Sequence, residues 1–290
     1  MNRKGIEAVI ALDVGGSSVK SALVTTNQQI IGSVCVDVIQ SESTADVILN
    51  TLAAIINVHL NKVKEVRGVA FGFPGPFNYE QGICLIQNQA KYDALYGLNV
   101  GEMLKKILRR PALEMKYRND AEAAILGEAL YGAGKLYPRL LGLTLGTGLG
   151  SAFIAEGVLV MEGPGVPPNG WLYSLPYRNQ RADDLFSTRG LLARLRERDI
   201  YADDVASAIQ SAGESRIALS ESFTSFGKDL GEFLEPFISD FRADALLITG
   251  GIAEAWEYFV PSLKRSLSVP VLRGALGNRA ALLGAAALYL

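Results

Sequence analysis

Apolar positions near the start of the chain either run on or alternate with a period of two. From Ala8 to Val38 they fall in three blocks, AVIALDV, SVKSALVTT and IIGSVCVDVI. Gly15-Gly16 separates the first two and Asn27-Gln28-Gln29 the last two, a pattern that predicts three antiparallel strands in a meander. The spacing lengthens to the helical period over 44–64 and returns to a strand in VRGVAFGF. A Pro-Gly-Pro turn, a strand pair around GICLIQN and a helix near 99–110 follow.

After Pro111 the pattern restarts with a helix in RNDAEAAILGEALYGAG, opened by Asn119 or Asp120 near its N-cap and closed by glycines. LLGLTLGTGLGSAFIAEGVLVMEG then reads as strand, glycine-rich turn, strand, Glu-Gly turn and strand. Residues 163–183, rich in Pro, Gly and aromatics, lack a period and read as a loop. Helices are expected over 184–197, 202–212 and 214–239, then a strand in ADALLITGG. A helix from about 253, a short strand in VPVLRG and a last helix over 278–289 complete the chain. Two strand, glycine turn, strand units thus lie about 130 residues apart, which suggests two related halves.

Composition narrows the class. With 290 residues, nearly half of them hydrophobic, the chain can bury a sizeable core, and its length suits one large domain or two ordinary ones. A net charge of −2 offers no general attraction for a nucleic-acid backbone, and Lys105, Lys106, Arg109 and Arg110 sit in an apolar helical pattern as a solvated face. Asp13 interrupts the first apolar run too early for a secretory signal, and AALLGAAALYL is too short to span a bilayer. A cytoplasmic protein without membrane or nucleic-acid partners is expected. Cys35 and Cys84 make neither a disulfide framework nor a Cys-x-x-Cys zinc pair. His59, the single histidine, lies in the amphipathic pattern ADVILNTLAAIINVHLNKVKE, which suits a packing or surface role.

The turn in IALDVGGSSVKSALV invites comparison with dinucleotide-binding folds, where a helix follows the glycines. Here Ser17 to Val24 carry no helix start signal and no helical period, so this turn joins two strands. Glycine permits a tight turn with φ > 0 and close approach of a ligand, successive N–H groups can form an anion-binding concavity, and Ser17 and Ser18 add hydroxyls. The plain alternative is an ordinary hairpin turn. Gly146, Thr147, Gly148 and Gly150 repeat the arrangement, and Gly250-Gly251 stand between a strand and a helix. Jointly these turns supply two phosphate loops and a glycine wall for a nucleoside.

Asp13 ends a buried strand, where an unpaired carboxylate is costly. It is the candidate for orienting hydrated Mg2+ or a terminal phosphate, with turn-capping as the alternative. Lys20 is either a phosphate partner or an outward strand residue. Asp120, at a helix start, is a candidate base for an attacking hydroxyl, against the local preference of Asp and Asn for caps.

In order and spacing, ALDVGGSSVKSALV, GVAFGFPGPFN, NDAEAAILGEALYGAG, LTLGTGLGSAFIAEG, DDLFSTRGLL and LLITGG resemble the ROK family of bacterial sugar kinases and sugar-responsive repressors. The resemblance covers almost the whole chain. It implies an α/β, two-lobed actin-like ATPase fold, ribonuclease H-like, each lobe a mixed five-stranded sheet with helices. A cleft is expected between a small lobe, 1–117 with the last helix 278–290, and a large lobe, 118–277. The resemblance makes Asp120 the catalytic base, Asn119 a sugar-hydroxyl contact, and Gly75 and Asn88 the small-lobe side of the sugar site. Asp13, Gly15, Gly16, Gly146, Thr147 and Gly148 match the phosphate loops, and Gly250 and Gly251 the adenosine segment.

Family kinases place a Glu-x-Gly-His element and a cysteine-rich zinc loop after the second meander. Here Pro168-Asn169-Gly170-Trp171 stands in that place, so the glutamate and histidine are absent and no structural zinc is expected. The next acidic sugar contact becomes Asp183, one methylene shorter than the usual glutamate, and Trp171 either stacks on a sugar face or anchors the loop. The expected activity is ATP- and Mg2+-dependent phosphorylation of a hexose, amino sugar or related polyol, with sugar recognition altered by the two losses. A homodimer is left open. One rival is a sugar-sensing protein without turnover, disfavoured as a direct DNA binder because twelve residues precede Asp13. Another is an actin-like ATPase with a non-sugar partner.

Overall fold

The computed structural model describes residues 7–210 and 216–290. They pack as two compact units, one of the chain up to Gly127 with Asn278–Leu290, the other of Glu128–Gly277.

In the first unit Glu7–Val14 (β1), Ser18–Thr25 (β2) and Ile30–Val38 (β3) form the expected antiparallel meander. After helix Ala45–Leu60 (α1), Glu65–Phe73 (β4) lies parallel to β1. Phe77–Asn78 (β5) and Ile83–Cys84 (β6) make a short ladder, helix Val100–Leu108 (α2) follows, and Met115–Asn119 (β7) lies parallel to β4. The sheet order is β3-β2-β1-β4-β7. Ala8 to Leu12 of the central β1 are fully buried, which is why that strand reads as an apolar run rather than an alternation.

Thr44 caps α1, its Oγ1 accepting from Val47 N at 3.4 Å, and the helix buries Ile48, Leu52, Ile55, Ile56 and His59 along one stripe. Each large aliphatic buried in this way contributes about 1.5–3 kcal/mol against the entropy of ordering it. His59 is a packing residue, its Nε2 2.8 Å from Ser21 Oγ.

Three expectations change in this unit. β7 is not among the expected strands: in MKYRN only Tyr117 is buried, and backbone pairing with β4 holds the strand in place of hydrophobic alternation. The expected break after residue 117 therefore falls inside a sheet strand, and the unit runs on into helix Asp120–Tyr131 (α3) as far as Gly127. The strand pair around GICLIQN shrinks to Ile83-Cys84 against Phe77-Asn78. Beyond it Asn88, Ala90 and Tyr92 adopt left-handed backbone, which no ladder accommodates.

In the second unit Arg139–Leu145 (β8), Leu149–Ala155 (β9) and Val158–Val160 (β10) form another antiparallel meander. The loop of 163–183 contains a short antiparallel pair, Pro176–Tyr177 (β11) and Gln180–Arg181 (β12). The helix expected over 184–197 is two, Ala182–Phe186 (α4) and Thr188–Arg196 (α5), divided by extended Ser187, whose Oγ accepts from Gly190 N at 3.4 Å. Val205–Gln210 (α6) and Arg216–Phe241 (α7) follow, and residues 211–215 of the expected helices lie outside the described residues. Ala245–Thr249 (β13), Trp256–Leu263 (α8) and Val271–Arg273 (β14) complete the unit, whose sheet order is β10-β9-β8-β13-β14. Helix Ala280–Ala286 (α9), buried at every residue, returns to the first unit and packs on β1 and β4.

Both sheets thus consist of a meander followed by two parallel strands in the same order, the repetition that the two glycine turns suggest. Each unit has its own core, around Phe71, Phe73 and Tyr92 in the first and around Phe153, Phe186 and Phe226 in the second. Among the described residues no helix is long and apolar enough to cross a membrane.

Candidate active site

In open α/β sheets ligands gather beyond the carboxyl ends of parallel strands, where the backbone leaves the ladder. β1, β4 and β7 run parallel side by side, Asp13 opposite Gly72 and Gly72 opposite Arg118. Beyond their ends lie the Gly15–Ser18 turn, the Pro74-Gly75-Pro76 turn and the start of α3 at Asp120. Asp13, Gly15, Gly16, Gly75, Asn119 and Asp120 therefore share one edge of the first sheet.

At the tip of the β1–β2 hairpin every carbonyl is taken up inside the unit. Gly15 O accepts from Tyr92 OH at 2.5 Å, Gly16 O from Ser41 Oγ, Ser17 O from Ile39 N at 3.1 Å and Ser18 O from Gly15 N at 2.9 Å. What the exposed tip presents are the N–H groups of Gly16 and Ser17 and the hydroxyls of Ser17 and Ser18. Withdrawn carbonyls and outward N–H groups suit an anion. Neither glycine has the positive φ expected; Gly15 serves this turn through space, since a Cβ there would lie 2.9 Å from Ser18 O. Asp13 is half-buried and paired, with Lys20 Nζ 3.1 Å from its Oδ2 across the hairpin. Lys20 is thus occupied in neutralising Asp13.

At the start of α3, capping falls to Asn119. Its Oδ1 accepts from Ala121 N at 3.1 Å and from Glu122 N at 3.2 Å. Asp120 follows half-buried, with Oδ1 accepting from Ala121 N at 2.9 Å and the residue's own backbone N–H also bonding the carboxylate. Burial pushes the Asp120 carboxyl above the ordinary carboxylate range; the Ala121 N–H opposes the rise, the charge of Asp13 adds to it, and Lys91 opposes it. A carboxylate raised in this way, and bonded only by local backbone N–H groups, is suited to accept an alcohol proton.

Asn119 is more committed than a plain sugar contact. Its Nδ2 donates to Tyr79 OH at 3.1 Å, and that hydroxyl donates to Phe73 O at 3.1 Å. Gly75 lies against the same pair, a Cβ there falling 3.1 Å from the Tyr79 oxygen and 3.8 Å from Asn119 Nδ2. Asn88 is exposed and makes no hydrogen bond to this group. Its segment instead brings Lys91 and Tyr92 to the glycine turn.

The second sheet repeats the layout. Gly146-Thr147-Gly148 follow β8 and Gly250-Gly251 follow the parallel β13. Gly146 O accepts from Thr188 N at 2.7 Å, while Thr147 and Gly148 are exposed. Gly250 has φ 99°, and a Cβ there would strike the Leu145 backbone, whereas around Gly146 and Gly251 nothing lies within 4 Å of such an atom. Bare backbone there is open to a ligand. Asp183 braces this turn: its Oδ1 accepts from Leu149 N at 2.7 Å and its Oδ2 from Arg189 Nη2 at 3.1 Å, so both oxygens are engaged. Trp171 lies beside Tyr173, ring centroids 6.0 Å apart. Among the described residues no three His, Cys, Asp or Glu side chains gather as a metal group.

The ROK family model matches residues 9–290. The chain belongs to the ROK family. Its fold is that of the actin-like ATPases, one mixed five-stranded sheet in each unit. Among curated relatives, the N-acetyl-D-glucosamine kinase of Haemophilus influenzae is 25% identical, the match covering 96% of this chain and 98% of that one. Among solved structures, a ROK family glucokinase from Streptomyces griseus in complex with glucose and AMPPNP has a TM-score of 0.76 at 21% identity, covering 97% and 98% of the two chains. A ROK family transcriptional regulator, a homologue of the E. coli MLC protein, has a TM-score of 0.79 at 18% identity, covering 99% of this chain and 78% of that one.

Within the ROK framework, four residues of the first-unit edge escape sequence reasoning: Ser41, Tyr79, Lys91 and Tyr92. Only the tyrosines carry a signal, as large side chains with a polar end in otherwise irregular stretches. Their partners, the Gly15 carbonyl and Asn119, lie 77 and 40 positions away.

Proposed function

We propose that this ROK-family chain is an ATP-dependent sugar kinase with Asp120 as general base. The observation that carries the reading is the release of Asp120 from capping by Asn119, at the sheet edge that also holds a glycine turn whose backbone carbonyls are all engaged. In the proposed reaction a sugar hydroxyl oxygen attacks the γ-phosphorus while the bond from that phosphorus to the β,γ-bridging oxygen breaks. The hydroxyl proton passes to Asp120 Oδ2, and the electron pair of the broken bond leaves with ADP.

The Gly16 and Ser17 N–H groups, with the Ser17 and Ser18 hydroxyls, are assigned to phosphate oxygens. Within the second unit, Gly146, Thr147, Gly148, Gly250 and Gly251 are matched by resemblance to nucleotide-binding loops. Asn119 and Gly75 belong to the sugar side, where the remaining Nδ2 hydrogen of Asn119 is available to a hydroxyl. Asn88 and Asp183, assigned there by resemblance, are the weaker assignments, since one stands apart and the other has its oxygens engaged. Magnesium arrives with the nucleotide. With one half-buried carboxylate, Asp13, at the turn and no cluster of three ligands among the described residues, phosphate oxygens and water would supply most of its shell.

The relatives' names support phosphorylation of a hexose or amino sugar as the substrate class. A second reading, sugar sensing without turnover, draws on the likeness to a transcriptional regulator together with the replaced Pro168–Trp171 shell. Sugar-dependent ADP release, measured across hexoses, amino sugars and polyols, separates the two. Turnover of one sugar supports the kinase, and sugar binding without ADP release supports the sensor.

A further inference from the structure

Segment 88–92 holds three non-glycine residues in the left-handed region within five positions, Asn88 at φ 58°, Ala90 at 56° and Tyr92 at 59°. Such backbone is uncommon and persists where its surroundings over-determine it. Here they do. Tyr92 is fully buried beside Phe73, ring centroids 5.4 Å apart. Its hydroxyl donates to Gly15 O at 2.5 Å, its N–H donates to Ser41 O at 2.6 Å, and Ser41 Oγ donates to Gly16 O. The segment is therefore stitched to the glycine turn directly at Gly15 O and, through Ser41, at Gly16 O.

The side chain delivered by this arrangement is Lys91. It is half-buried, and its stem passes over the turn, Cδ lying 3.8 Å from where a Cβ on Gly16 would stand. Among the described residues it makes no ion pair and no hydrogen bond, whereas the nearby Lys20 is neutralised by Asp13. An ammonium that forms no salt bridge among the described residues and acts on the Asp120 carboxylate only through space, beside a tip whose carbonyls are all taken up internally, suits an anion.

We propose that Lys91 is a catalytic residue that donates its ammonium N–H to the γ-phosphoryl group of a nucleotide bound at the Gly15–Ser18 turn, an assignment that rests on the kinase reading above. As the sugar oxygen–phosphorus bond forms and the bond to ADP breaks, charge spreads over the equatorial oxygens, and a preorganised cation there stabilises the transition state without reorganisation. The same charge opposes the rise of the Asp120 carboxyl and so favours the ionised base.

The test compares the full-length wild type with Lys91→Met and Lys91→Arg. Calorimetric titration with ADP and with AMPPNP, each with magnesium, reads the γ-phosphate contact independently of turnover. Lys91→Met is expected to bind ADP as the wild type does and AMPPNP about tenfold more weakly, since only AMPPNP carries the group that Lys91 contacts. With a turned-over sugar, kcat of Lys91→Met should fall about 10²-fold or more while the sugar KM changes by less than about threefold, the pattern of an interaction made chiefly in the transition state. The acidic limb of its kcat profile should move to higher pH, and Lys91→Arg, which keeps the charge and folds as a control, should recover part of the rate. An unchanged AMPPNP-to-ADP preference in Lys91→Met overturns the proposal, as does an unchanged kcat. If the wild type turns over no sugar, the kinase reading fails separately, and the nucleotide titration still decides the Lys91 contact.

Discussion

Replacing Asp120 by Asn tests the chemistry while leaving the local architecture in place. Asn119, not Asp120, caps α3, and an amide oxygen at position 120 can still accept from Ala121 N as Oδ1 does at 2.9 Å. The charge removed is one that burial and Asp13 already disfavour. Because the folded-state pKa is raised, the ionised carboxylate costs stability at neutral pH, a cost relieved as pH falls through the raised value toward the ordinary one. Asp120→Asn should therefore melt at or above the wild-type temperature.

Rate should fall steeply. General-base catalysis is worth about 10²–10⁴-fold, and the nearest substitute, Asp13, is held by Lys20 at 3.1 Å and is not free to take the proton. A loss of about 10³-fold in kcat, about 4 kcal/mol on the barrier, is the expected outcome. The assay is coupled ADP release with the best sugar, together with a melting curve and calorimetric titration of AMPPNP, which should bind the variant undiminished. In the wild type, kcat should fall on acidification through a pKa above the ordinary aspartate value. An Asp120→Asn enzyme within about tenfold of wild type would remove Asp120 from the mechanism and return it to a helix-start role.

Three further outcomes are expected. Gly284→Ala should lower the free energy of unfolding by about 1–3 kcal/mol in a urea titration, because its Cβ would strike the Ala123 carbonyl where α9 packs on α3; an unchanged midpoint would mean that the packing yields. Elemental analysis of untagged protein should find less than stoichiometric zinc, since the 163–183 stretch contains no cysteine or histidine. Glucose should be a poor substrate: if, as the family resemblance implies, Pro168 and Trp171 replace a glutamate and a histidine that hold sugar hydroxyls, each lost partner costs about 1–3 kcal/mol, and together they should lower kcat/KM about 10²–10⁴-fold relative to the preferred sugar. Steady-state comparison with N-acetylmannosamine, mannose, fructose and allose decides it, and glucose as the best substrate would refute it.

The sequence by itself determined the two meanders, the glycine turns that head them, the α1 stripe ending at His59, and membership of the family. Each of these is written in local spacing or in an ordered set of short motifs, which a chain carries whether or not it is folded. Tertiary structure decided the rest of the site. β7 exists because β4 offers it backbone partners, not because MKYRN alternates. Asn119 takes the cap, so its neighbour is free for chemistry, and Asp183 is drawn to Leu149 N and Arg189. Lys91 reaches the glycine turn because Tyr92, buried against Phe73, bonds a carbonyl 77 positions earlier. Which polar group is already satisfied, and which remains free to meet a substrate, depends on partners far along the chain, and packing alone brings those partners together.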